Sequence, residues 1–312
     1  MNWKNKLRDL RDYNLYLLLR LVLCGIQMMS LERCDRIAHW FAKVFTDWIP
    51  IRKKLVESNL RLIYSDWSPD RIYQTRYRMW HHLFLMLFEI ALSKRKIHRS
   101  NWHEHYVIPN RGKFVEFTID HRPKIAVTGH FGNFELAGYI TGLLGFPTTT
   151  IARPLDNPYV HEYITWYRSL GGQHFIPKDD SAGLVQKVLD SGGLLSLLAD
   201  QDAGNKGCWV KFLGQPASCH KALALFTLSS GAPMLVMTNR RLGPLRFHID
   251  LLGIADPLEG KGQVENINAL TQWYNDQLAK VIHANPEQYW WLHRRWRDPP
   301  SRLKKFHSQA AA

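Results

Sequence analysis

The hydrophobic pattern changes character about a third of the way along the chain. Over residues 1–100 apolar side chains recur at helical spacing: Leu15, Leu18, Leu19, Val22 and Leu23, then Ile37, Trp40, Phe41, Val44, Phe45 and Trp48. This spacing predicts amphipathic helices, the second of them stopped by Pro50. Ser68-Pro69-Asp70 predicts the start of a further helix, with proline at its first position, carrying Tyr77, Trp80, Leu83, Phe84, Leu87 and Phe88. From about residue 120 short apolar runs at 124–128, 147–151, 193–198 and 233–238 alternate with helix-like stretches at 134–144, 157–170, 180–191 and 219–230. Arg246 to Leu252 alternates like another strand, and Glu265 to Ala284 reads as a long helix. Asn285-Pro286-Glu287 has the cap, proline and acid of one more helix start.

Strands alternating with helices predict an α/β fold: a mainly parallel, mixed sheet flanked by helices. The expected organisation is a helical, membrane-associating N-terminal region over 1–100, an α/β core over 101–298 and a frayed polar tail over 299–312. The N-terminal apolar run, Leu15 to Met29, is broken by Arg20 and Gln27. It is shorter than the roughly 20 apolar residues of a membrane-spanning helix, and no signal-peptide cleavage site follows it. Two readings fit it: a helix in the plane of a membrane with Arg20 reaching towards phosphates, or a helix packed against the rest of the protein.

Charge sharpens the picture. Lys and Arg number 41 against 27 Asp and Glu, a net +14, which calls for an anionic partner: phospholipid, nucleic acid or an acidic carrier protein. Twelve Trp residues, many beside Arg or Lys, tilt the choice towards a membrane interface. The four cysteines are isolated, so neither a disulfide framework nor a zinc site is expected. No phosphate-binding or dinucleotide-binding glycine loop occurs in a suitable setting, and no serine nucleophile elbow.

Candidate chemistry centres on Gly129-His130-Phe131-Gly132-Asn133-Phe134-Glu135, immediately after the 124–128 run. A histidine can take a proton from a hydroxyl near neutral pH, and a carboxylate can fix its tautomer. His130 in a turn permitted by Gly132, with Glu135 in the first turn of the following helix, would let the two meet. Backbone N–H groups near Gly132 and Asn133, or an arginine, are candidates for holding an oxyanion. Asp200 and Gln201 follow the 193–198 run, so two strands deliver polar groups to what can be one crevice at the carboxyl ends of the sheet. Arg153 follows the next strand and Arg168 lies on the helix after it, positions suited to phosphate or carboxylate. Plainer roles also fit: Asp200 as a loop cap, Arg168 as a surface helix residue. His220, His293 and the pair His81-His82 read as structural.

The order GHFGNFE, ARPLDNP, ADQD and PEQYWWLHRRW resembles the bacterial lipid A late acyltransferases, the lauroyl and myristoyl transferases of lipopolysaccharide assembly, from about Lys124 to Arg297. The resemblance implies an acyltransferase with an H-x4-D/E motif at the cytoplasmic face of the inner membrane, peripheral or monotopic. It implies no cofactor, no metal and no nucleic acid. The donor would be an acyl carrier protein thioester and the acceptor a phosphorylated glycolipid. By the same resemblance His130 is the general base and Glu135 its partner, Arg153 and Arg168 hold phosphates or organise the site, and Asp200 braces one of those arginines. Transfer from acyl-CoA to another polar lipid, and a non-catalytic basic membrane-binding protein, are the alternatives.

Overall fold

The computed structural model describes residues 3–178, 181–260 and 262–298; the expected polar tail lies outside them. Four helices come first: α1 (Trp3–Gln27), α2 (Leu31–Asp47), α3 (Lys53–Ile63) and α4 (Pro69–Lys96). Ser68 caps α4, its side chain accepting from the Arg71 N–H, and Pro69 occupies the first position as its sequence predicts. The short α5 (Trp102–His105), β1 (Tyr106–Val107) and α6 (Arg111–Ile119) lead into the alternating part. This runs β2 (Lys124–Thr128), α7 (Phe134–Leu143), β3 (Thr148–Ala152), α8 (Pro158–Ser169), β4 (Gln173–Pro177), α9 (Ser181–Asp190) and β5 (Leu194–Leu198). A hairpin, β6 (Cys208–Phe212) and β7 (Gln215–Cys219), precedes α10 (Ala222–Ser230), β8 (Met234–Gly243), β9 (Arg246–Ala255) and α11 (Ile267–Ala284).

Seven strands form one sheet in the order β1-β9-β8-β2-β5-β3-β4, parallel throughout except for the antiparallel β8/β9 pair. β2 lies between parallel neighbours, and all five of its residues are buried. Its side chains alternate between two cores, as the two-residue period of a strand requires. Ile125 and Val127 join one cluster, and Ala126 the other. α4 feeds both clusters, with Met79 and Trp80 in the first and Phe88 and Leu92 in the second. No helix among the described residues is long and apolar enough to cross a membrane.

Three local expectations differ from the structure. The helix expected over 219–230 begins only at Ala222, because Gln215–Cys219 is half of a hairpin. Leu213 and Gly214, both at positive φ (50° and 80°), make the tight turn that joins its strands. β4 was not expected; it is an edge strand that alternates poorly and ends at Pro177. The helix start at Asn285 amounts to a single 3-10 turn, Pro286–Gln288, because Tyr289 then pairs with Phe131 as an isolated antiparallel bridge.

α1 is packed against the rest of the protein along one side only. One side docks on α8, through Asn157 Nδ2 to the Asp12 carbonyl (2.8 Å) and Tyr159 Oη to Asp9 (2.9 Å). Arg20 does not reach outward alone; its guanidinium lies 4.9 Å from the Tyr163 ring centre. The other side exposes Trp3, Leu7, Leu10, Leu17, Leu18, Leu21 and Val22.

Candidate active site

Strand register builds the centre of the site. Thr128 of β2 is level with Leu198 of β5, and the Ala199 N–H extends the pairing to the Thr128 carbonyl at 2.9 Å. Two residues further along each chain stand His130 and Asp200, which therefore come side by side. His130 Nδ1 lies 2.8 Å from Asp200 Oδ1, and the His130 backbone N–H donates to Oδ2 at 2.9 Å. Gly129 leaves room for this approach, since a Cβ there would come 3.2 Å from Asp200 Cγ.

The carboxylate expected to hold His130 is thus a different one. Glu135, in the first turn of α7, takes a forked pair of hydrogen bonds from Arg168 Nε (3.0 Å) and Nη2. Asp200, expected to brace an arginine or cap a loop, instead orients the imidazole. The physical reason is direction: the parallel register aims Asp200 at His130, while the first turn of α7 aims Glu135 at α8. Arg168, far from being a simple surface residue, is three-quarters buried in that ion pair, its guanidinium 4.7 Å from the Phe175 ring centre. Arg153 stands apart from it, exposed and paired with Asp156 at 3.0 Å.

Gly132 and Asn133 are also not the donors expected. The Gly132 N–H is given to the Gln288 carbonyl (3.0 Å) and the Asn133 N–H to the Asn239 carbonyl (2.9 Å), so both are spent within the protein. Their work is structural. Gly132 has φ of 59°, and a Cβ there would stand 2.0 Å from the Asn239 carbonyl oxygen. Asn133 caps α7 through Oδ1 to the Leu136 N–H (3.2 Å) and gives its Nδ2 to Glu89 (2.9 Å). Glu89, fully buried on α4, also pairs with Arg241. His82 of the same helix reaches the Gly132 carbonyl through Nε2 at 3.2 Å. Burial, then the Arg241 charge, push the His82 pKa well below its ordinary 6.5, so it is neutral and braces the turn.

Three rings enclose His130: Phe134, His293 and Trp290, with centres at 5.0, 5.1 and 5.8 Å. His293, expected to be only structural, belongs to the site. The C-terminal segment reaches it because the Trp290 N–H donates to the His130 carbonyl at 3.0 Å. Gln201 completes the group, its Nε2 3.2 Å from His130 Nε2 and 3.1 Å from His293 Nε2. Its sequence signal was present, since it directly follows Asp200; His293 had none beyond lying in an aromatic and basic run.

Electrostatics favour the protonated form of His130. Burial pushes the imidazole down, but the Asp200 charge, the Asp200 hydrogen bond and the Glu135 charge together outweigh it, leaving the pKa above 6.5. Burial alone would raise Asp200; the His130 charge and the two hydrogen bonds from His130 win, and hold it down at about 2. Burial and then the His130 charge lower His293 to about 4. With Asp200 accepting from Nδ1, the lone pair of neutral His130 sits on Nε2, facing Gln201.

Beside this group, on the α7 face of the sheet, lies a cavity of about 130 Å³. Phe134, Glu135 and Arg168 stand in its wall at one end, and Ala126, Leu194 and Phe117 line it further in. Phe134 is therefore shared between the cavity and the ring cluster at His130. The cavity is lined by no residue of α1–α4. Asp35, His39 and His81, a group with metal-ligand potential, lie on α2 and α4 as a stacked and hydrogen-bonded surface cluster, not around His130.

Residues 1–298 match the family described as bacterial lipid A biosynthesis acyltransferase. The chain belongs to that family. It is accordingly an acyltransferase, acting on groups other than aminoacyl groups, and a lipid A acyltransferase by kinship. The lipid A biosynthesis lauroyltransferase of Escherichia coli K12 is 24% identical over 272 residues, 85% of each chain. The palmitoleoyltransferase of the same organism is 29% identical over 184 residues, 58% of each chain. A 1-acyl-sn-glycerophosphate acyltransferase from Thermotoga maritima is a distant structural likeness, with a TM-score of 0.39 and 11% identity over 86% of this chain and all of that one.

Proposed function

We propose that this lipid A acyltransferase moves a fatty acyl chain from an acyl carrier protein thioester to a hydroxyl of a phosphorylated lipid A precursor, directly and without a covalent enzyme intermediate. The observation that carries the reading is the His130–Asp200 pair. A buried carboxylate fixes the Nδ1–H tautomer and leaves Nε2 to take the acceptor proton as the oxygen attacks the thioester carbonyl. Base assistance of this type is worth about 10²–10⁴-fold.

The cavity behind Phe134 is the slot for the acyl chain, its mouth bounded by the Glu135–Arg168 pair. Arg153, exposed at the end of β3, and Arg168 meet the acceptor phosphates. The net charge of +14 recruits both anionic partners, the acidic carrier and the phosphorylated lipid. The exposed apolar side of α1 lies in the bilayer interface at the cytoplasmic face of the inner membrane, as a peripheral or monotopic attachment.

Purified protein supplied with an acyl carrier protein thioester and a lipid A precursor tests this directly. H130A is expected to lose transfer while keeping its circular dichroism, with a melting temperature lowered by loss of the Asp200 partner. Near-parental turnover in H130A would overturn the base. Competition between the carrier thioester and acyl-CoA identifies the donor, and mass spectrometry of the product identifies acceptor position and chain length.

A further inference from the structure

The transition state of acyl transfer carries negative charge on the former carbonyl oxygen, and that charge needs a donor. The backbone N–H groups of Gly132 and Asn133 are already given to Gln288 and Asn239. The Gln201 side chain is not spent in that way. Its Nε2 stands 3.2 Å from His130 Nε2 and 3.1 Å from His293 Nε2. Because Asp200 takes the Nδ1 proton of His130, Nε2 is an acceptor, and only the nitrogen end of the amide can satisfy it. The amide therefore gives one proton to each imidazole. His293 is packed against Trp290, with ring centres 5.7 Å apart. It stays neutral at pH 7, so its hold on the amide survives when His130 becomes charged.

We propose that Gln201 is a catalytic residue: it covers the His130 lone pair in the resting enzyme and, once the acceptor hydroxyl displaces it, gives the released N–H to the oxygen of the attacked thioester carbonyl. The proposal rests on the reading of His130 as the base. The acceptor oxygen forms a bond to the carbonyl carbon, its proton passes to His130 Nε2, and the carbonyl π pair moves onto oxygen, facing Gln201 Nε2–H. When that pair returns, the carbon–sulfur bond breaks, and the thiolate leaves with its electrons and takes the proton back from His130. His293 is a positioning residue, keeping the amide nitrogen turned towards the site.

The test compares Q201A, Q201E and H130A in the purified acyl transfer assay, with the melting temperature of each. Q201A is expected to lower kcat by about 10²–10³-fold, the usual cost of one oxyanion donor, with KM changed less than threefold. Q201E, which offers only acceptor oxygens at neutral pH, is expected to fall at least as far. A structural role alone would not move the acid limb of kcat/KM, whereas loss of the bond to Nε2 in Q201A is expected to move it to higher pH. Imidazole ¹⁵N spectra of the free protein read the same bond without turnover: the Nε2 signals of both His130 and His293 are expected to shift in Q201A. A Q201A enzyme with kcat within threefold of the parent, or with its loss confined to KM, overturns the donor. Retained turnover in H130A with lost turnover in Q201A overturns the base and keeps the donor; the reverse overturns the donor and keeps the base.

Discussion

Changing Asp200 to Asn alters one charge at the centre of the site and little else in shape. The native carboxylate accepts twice from His130, once from the ring (2.8 Å) and once from the backbone N–H (2.9 Å). An amide has one oxygen to offer, so either the ring or the backbone N–H must face an NH₂ group. A ring facing a donor turns to the other tautomer, with its proton on Nε2, and the base has then lost the lone pair that faces the substrate. The expected fall in kcat is on the order of 10³–10⁴, the cost of a wrong tautomer in a comparable His–carboxylate pair. The depression of Asp200 from 3.8 to about 2 corresponds to about 2 kcal/mol of preference for the ionised carboxylate. Its pKa is lowered on folding, so this stabilisation is present above the unfolded value and lost as pH falls from about 4 to about 2. His130 is raised, so its share is present below 6.5 and lost as pH rises through the folded value. The parental acid limb of kcat/KM should therefore lie above 6.5, and in D200N, where burial acts on the ring without Asp200, it should fall below 6.5. Initial rates by product mass spectrometry between pH 5 and pH 9, with melting curves in parallel, measure both. A D200N enzyme within tenfold of the parent, with the acid limb in place, would refute the assignment of Asp200 as orienter.

Three further outcomes are expected. G132A combines positive φ with a Cβ only 2.0 Å from the Asn239 carbonyl. It should cost at least the roughly 1–3 kcal/mol of a strained backbone, seen as a lower denaturation midpoint together with lost turnover. A126L places a larger side chain part-way along the cavity, two residues of β2 further in than Thr128. It should shift the product towards shorter chains, since each buried methylene is worth about 0.8 kcal/mol, and an unchanged chain-length distribution would remove the cavity as the acyl slot. The double change L18D/L21D on the exposed side of α1 should abolish co-sedimentation with anionic phospholipid vesicles without lowering the melting temperature, because both side chains face outward. Undiminished vesicle binding would move the membrane contact elsewhere.

The strands were legible in the chain because buried parallel strands are short, continuous apolar runs: 124–128 is β2, and 193–198 contains β5. The same runs located His130 and Asp200, since polar residues directly after buried strands fall at the carboxyl edge of the sheet. The basic charge, the capped start of α4 and the order of motifs that marks the family are local or compositional properties, and sequence alone determined them. Partnership was decided only in three dimensions. Five positions separate His130 from Glu135 and 70 separate it from Asp200, yet the strand register sets His130 against Asp200 while the first turn of α7 turns Glu135 to Arg168. His293 joined the site through the bridge between Phe131 and Tyr289, a contact with no periodicity to read, whereas Gln201 was marked by its place directly after Asp200 at the end of β5. Local spacing determines which element a side chain rides on, but the direction it faces across a crevice depends on how distant strands and helices are packed.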